Sequence, residues 1–163
     1  MGEQGGRDGG PGEEAPRLLP LEEQPLFNEA QLLHLLRVEF SRARRYRFPL
    51  AILLLAVDRL EERTDLLAAG SRRALLGELA GRLRGDLRLS DFLGLHGGEQ
   101  LLAVLPHTDG EGARRLARRL AGRVEGRPFS PPGREGAGTC SIGIAGTSTR
   151  ERLFHESLLG QAE

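Results

Sequence analysis

Three observations predict an α+β fold in which helices pack on a mostly antiparallel central sheet. A near-continuous apolar run, Leu50 to Val57, has the length of a buried strand. Amphipathic helical stripes precede it, follow it and recur beyond residue 109. A glycine pair, Gly97-Gly98, separates two short apolar runs as in a β-hairpin. The 163 residues suit one domain with a single core.

Residues 1–24 carry three prolines and few apolar residues other than Leu18, Leu19 and Leu21, so a disordered tail is expected there and a single domain over 25–163. The tail lacks the apolar run of a secretory signal. Asn28 suits a helix N-cap, and Leu32, Leu33, Leu36, Phe40 and Ala43 then form one stripe. Arg37, Arg42, Arg44, Arg45 and Arg47 lie mostly off that stripe, and Pro49 ends the segment.

Leu50 to Val57, bounded by Pro49 and Asp58, is expected in the middle of the sheet, covered on both faces. A second helix is expected over about Ser71 to Leu87, with Ser71 as its cap and Leu75, Leu76, Leu79, Leu83 and Leu87 as its stripe. Gly97-Gly98, as a two-residue connection, predicts a tight antiparallel hairpin between Phe92 and Pro106. Asp109 opens a third helix that buries Ala113, Leu116, Ala117, Leu120 and Val124; Gly126 and Pro128 stop it. After a Gly/Pro-rich loop over 129–138, Thr139 to Ala145 reads as a strand and Glu151 to Leu159 as a short closing helix.

Charge narrows the function classes. The 23 basic and 23 acidic residues cancel, which argues against a bulk electrostatic partner such as duplex DNA or an anionic membrane. All the cations are Arg, so a phosphate-loop or Schiff-base lysine is excluded and guanidinium forks remain for anion recognition. Arg42, Arg44, Arg45 and Arg47 cluster where cations favour a helix C-terminus, and with few aromatics to stack bases no nucleic-acid role is expected. Phe48 to Val57 is about half of the ~20 residues a membrane helix needs. The single Cys140 excludes an intrachain disulfide and suits a buried strand position in a reducing, cytoplasmic setting. His34, His96, His107 and His155 show no metal-ligand spacing.

Five features in order then resemble one family. They are the strand ending Leu-Ala-Val-Asp58, Arg88-x-x-Asp91, Gly97-Gly98-Glu99-Gln100-Leu101, Val104-Leu105-Pro106-His-Thr-Asp109 and Ser141-Ile-Gly-Ile144. From about Phe27 to Leu159 the chain resembles a GGDEF domain, the module of bacterial diguanylate cyclases that joins two GTP molecules into cyclic di-GMP. The resemblance implies a nucleotidyl-cyclase-like, ferredoxin-like fold.

What it implies for chemistry is a loss. Active relatives hold two divalent cations with an Asp at the end of the first strand and an acid in the hairpin, because Mg²⁺ takes hard oxygen ligands. Here the first-strand position is Ala56, with Asp58 two residues later. Glu99 matches the hairpin acid, but Gln100 stands for the following Glu and Leu101 for Phe. Thr64 and Arg73 fall where the family reads guanine with Asn and Asp, and Glu61 falls where it has a phosphate-contacting Lys. The resemblance thus implies a degenerate, catalytically inactive domain with no metal site, Mg²⁺ mattering only to residual nucleotide chemistry.

The family's inhibitory product site is retained in sequence. Arg88 and Asp91 stand five residues before the glycine pair, and the family's secondary arginines fall on Arg115 and Arg119, four apart on one helix face. An Arg fork can meet the O6 and N7 edge of guanine or a phosphate, while Asp accepts from N1–H and N2–H₂. The expected function is that of a cyclic di-GMP receptor in bacterial second-messenger signalling, with a protein partner or homodimer as output. A nucleotide-independent pseudoenzyme that serves as an interaction module is the alternative, and a weak cyclase using Glu99 with Asp58 a more distant one.

Overall fold

A computed structural model describes residues 26–58, 69–125, 139–147 and 155–162. Its elements are α1 (Glu29–Tyr46), β1 (Leu50–Val57), α2 (Ala69–Arg84), β2 (Phe92–His96), β3 (Gln100–Pro106), α3 (Gly110–Glu125), β4 (Cys140–Gly146) and α4 (His155–Ala162). The strands form one sheet in the order β2-β3-β1-β4, and every neighbouring pair is antiparallel.

The apolar run of β1 is explained by its place between two helical layers. Side chains alternate across a strand, so Ala51, Leu53, Leu55 and Val57 face a core shared with Leu75, Leu76, Leu79 and Leu83 of α2 and Leu116 and Leu120 of α3. Leu50, Ile52 and Leu54 face the opposite core with Leu32, Leu36 and Phe40 of α1 and Ala162 of α4. Burying each of the larger aliphatic side chains contributes roughly 1.5–3 kcal/mol before ordering costs, which holds both layers to this strand.

The caps agree with local chemistry. The Asn28 side chain accepts from the Gln31 amide at 2.9 Å while the Gln31 side chain accepts from the Asn28 amide at 3.1 Å, a reciprocal capping box. Asp109 accepts from the Gly112 amide at 2.7 Å, opening α3.

Three boundaries differ from expectation. Helix α2 starts at Ala69, which puts Ser71 within it, and ends at Arg84. There the Asp86 and Leu87 amides donate to the Leu83 and Arg84 carbonyls, tightening the chain into a turn. The hairpin connection has three residues rather than two: His96 pairs with Gln100, and Gly97 (φ 58°) and Gly98 (φ 80°) take left-handed conformations that glycine adopts without a Cβ penalty, with Glu99 following. Helix α4 runs to Ala162, past the expected Leu159. The expected tail over 1–24, the loop over 129–138 and the start of the last helix at 151–154 lie outside the described residues.

Before α1, Phe27 lies along the edge of β2, donating to the Leu93 carbonyl at 3.2 Å and accepting from the Leu95 amide at 3.0 Å. Gly94 permits this approach, since a Cβ there would stand 2.5 Å from the Phe27 carbonyl oxygen. Among the described residues no helix is long and apolar enough to cross a membrane.

Candidate functional site

The sheet brings the motif positions Ala56, Asp58, Glu99 and Gln100 to one end. Ala56 lies between Gln100 on β3 and Ser141 on β4 in register. Pairing continues one residue past β1, with the Asp58 amide donating to the Thr139 carbonyl at 3.0 Å. Asp58 Oδ1 accepts the Ser141 hydroxyl at 2.7 Å, and Glu99 occupies the exposed hairpin turn. Where the resemblance implies an acid on the central strand, the structure has the Ala56 methyl group in register with Gln100 and Ser141, and Asp58 is turned toward β4.

A link absent from the sequence reading joins the hairpin to α1. Glu29 Oε1 accepts from the Gly97 amide at 3.2 Å and lies 3.1 Å from His96 Nδ1. The motif turn is thus held by the first residue of α1.

The Arg88-x-x-Asp91 segment is a turn closed on itself. The Asp91 amide donates to the Arg88 carbonyl at 3.0 Å, and the Arg88 amide donates to Asp91 Oδ2 at 2.8 Å. Asp91 Oδ1 is buried and has no hydrogen-bond partner among the described residues. Arg88, Leu89 and Ser90 are exposed, Leu89 at 78%.

Burial raises the Asp91 carboxyl above its ordinary 3.8, against the opposing pull of the Arg88 amide and the Arg88 charge. An acid raised in the folded chain holds its proton more tightly there, so its ionised form costs stability. That cost is fully present above the raised value, is lifted as pH falls through it and is absent below 3.8. Asp91→Asn keeps an acceptor for the Arg88 amide and is expected to unfold within about 1 kcal/mol of the parent at neutral pH. Denaturant melts from about pH 7 down to pH 4 are expected to show the parent gaining stability relative to the variant on acidification; a flat or opposite trend would contradict the burial account.

The α3 arginines divide. Arg115 Nη1 pairs with Glu111 Oε1 at 2.7 Å, an exposed pair on its own helix. Arg119 turns to the chain just before Arg88, with Nε 2.8 Å from Asp86 Oδ1 and Nη2 donating to the Asp86 carbonyl at 3.1 Å. Arg123 also grips this carboxylate, Nη2 donating to Oδ1 at 3.2 Å and Nε meeting Oδ2. Asp86 is buried, its side chain 6% exposed. The structure therefore brings Arg119 and Arg123 to Asp86, two residues before Arg88 in the chain, and pairs Arg115 with Glu111 on its own helix. Sequence spacing gave no signal for the Asp86 pairs, because Asp86 is 33 and 37 residues from its partners.

Of the remaining positions, Arg73 is exposed on α2, and Glu61 and Thr64 lie outside the described residues. The Cys140 thiol is pushed up to about 11 by burial and by the Asp58 and Glu125 charges, so it is neutral at physiological pH and unsuited to nucleophilic work.

Comparison with known proteins adds three findings. The family described as diguanylate cyclase, GGDEF domain, matches residues 25–163. The diguanylate cyclase DgcP of Pseudomonas aeruginosa is 32% identical over 135 residues, covering 81% of this chain but only 20% of that protein, so the chain spans about a fifth of that relative's length. Among solved structures, the FimX GGDEF domain from Pseudomonas aeruginosa superposes with a TM-score of 0.74 at 24% identity, covering 88% of this chain and 86% of that one. The GGDEF domain of DgcB from Caulobacter crescentus, solved in complex with c-di-GMP, superposes with a TM-score of 0.73 at 17% identity, covering 84% and 81%. At these identities the structural matches speak to the fold.

Proposed function

Because this chain belongs to the GGDEF domain family of diguanylate cyclases, we propose that it is a non-catalytic member that binds cyclic di-GMP at the Arg88–Asp91 turn. The observation that carries this reading is the divided Asp91 carboxylate, one oxygen held by the Arg88 amide and the other buried with no donor among the described residues. A buried acceptor left unpaired costs about 1–3 kcal/mol. A guanine edge offers N–H donors of the kind this oxygen lacks. The exposed Arg88 guanidinium meets the O6 and N7 edge or a phosphate.

The other end of the sheet supports the non-catalytic half of the reading. Ala56 and Gln100 face each other across β1 and β3, where metal-binding acids are needed for GTP chemistry, so no metal is assigned. In this reading the chain is a cytoplasmic receptor, and ligand binding changes dimerisation or contact with a protein partner.

Isothermal calorimetry with cyclic di-GMP tests the reading. The parent chain is expected to bind, and Arg88→Ala to bind roughly 10- to 100-fold more weakly, the worth of a charge-assisted hydrogen bond pair. Absence of heat from the parent at tens of micromolar ligand overturns the receptor reading.

A further inference from the structure

We infer that the second half of this ligand site is a pair of guanidiniums, Arg119 and Arg123, clamped by the buried Asp86 carboxylate, and that Arg123 rather than Arg115 supplies the further phosphate contact. The inference rests on the cyclic dinucleotide reading above and adds two residues to it.

Charge is the first argument. A buried carboxylate requires a counter-ion, and one guanidinium suffices to neutralise it. Asp86 has two, from Arg119 and Arg123. The three side chains therefore sum to one positive charge, and Asp86 stands two residues before Arg88 in the chain. A single phosphodiester, with its one negative charge, matches that excess.

Hydrogen-bond geometry is the second. Both arginines address Asp86 through Nε and Nη2, so that edge of each fork is occupied and the Nη1 donors are not used by it. The side chains remain 55% and 53% exposed although the carboxylate between them is buried. Two exposed forks held by one fixed acceptor lose less freedom on binding an anion than two unrestrained side chains do. Arg115 lacks this arrangement, since its partner Glu111 is itself exposed on the same helix.

Asp86 is accordingly a positioning residue and Arg123 a ligand-contacting one. Titrations of cyclic di-GMP into the parent, Arg123→Gln, Arg123→Lys, Arg115→Gln and Asp86→Asn, each first shown to unfold cooperatively, test this. Arg123→Gln is expected to weaken binding about tenfold, Arg123→Lys to recover only part because the fork is lost, and Arg115→Gln to stay within about twofold of the parent. Asp86→Asn makes the site more positive but releases the clamp, and is expected to bind several-fold more weakly.

Inorganic phosphate, titrated separately, is expected to compete weakly in the parent and less in Arg123→Gln. Parent-like binding by Arg123→Gln, a loss in Arg115→Gln as large as in Arg123→Gln, or tighter binding by Asp86→Asn overturns the inference while a loss in Arg88→Ala leaves the receptor reading standing. No binding by the parent overturns both.

Discussion

Supplied with GTP and Mg²⁺ or Mn²⁺, the purified chain is expected to form no cyclic di-GMP. Phosphoryl transfer depends on metal and electrostatic stabilisation of charge developing on the phosphate and the attacking hydroxyl. In this protein the central strand presents Ala56 to Gln100 and Ser141, so the position where a first carboxylate would hold the cation carries a methyl group. Asp58, two residues further on, is engaged with β4, its Oδ1 accepting the Ser141 hydroxyl at 2.7 Å.

Gln100 lacks the charge of the acid that the family resemblance implies there, and Arg73 presents only donors at the position where that resemblance implies guanine reading. Removing one such stabilising group commonly costs on the order of 10²–10³ in rate, so two losses take about 10⁴–10⁶. Chromatographic separation of nucleotides after long incubation is the measurement. Sustained product formation in proportion to protein concentration would show that Glu99 and Asp58 suffice, and the non-catalytic reading would have to be abandoned.

Gly143→Ala is expected to have the largest effect on stability of any single methyl addition to the sheet. Gly143 pairs with Leu54 of β1, and a Cβ there would overlap the carbonyl oxygen of Ala162. The obstacle is backbone, which cannot swing aside as the end of a side chain can. Helix α4 must therefore shift away from β4, and Ala162 and Leu159 would withdraw from the core they share with Leu32, Leu36 and Leu50. Forced displacement of a packed element costs about 3 kcal/mol, which for a domain of this size lowers the melting temperature by roughly 10 °C. Thermal unfolding followed by circular dichroism decides the matter, and a melting temperature within about 2 °C of the parent would mean that α4 does not press on Gly143.

Much of this fold is local chemistry and is legible without coordinates. The run Leu50–Val57 reads as a doubly covered strand because its alternate residues are all apolar, and it lies between β3 and β4 with helices on both faces. Asn28 and Asp109 read as helix starts because their side chains satisfy amides three residues on. The hairpin was legible from its glycines, yet its loop length was not, since two left-handed glycines are equally compatible with Glu99 inside or outside the connection. The span of α2 was missed for a related reason: helical periodicity marks the buried stripe and says little about where the flanking turns begin.

The candidate site separates along the same line. Arg88 and Asp91 stand three residues apart, and their turn follows from that spacing and from an Asp side chain able to accept a nearby amide. Identity alone also marks Ala56 as a group that cannot hold a hard cation and Gln100 as one without the charge of a carboxylate. Only the packing of α3 against the end of α2 turns Arg119 and Arg123 onto Asp86, leaves Arg115 with Glu111, and buries one oxygen of Asp91. Those contacts join residues distant in the chain, and the free energy that selects them comes from burial and ion pairing between layers, to which no local spacing gives access.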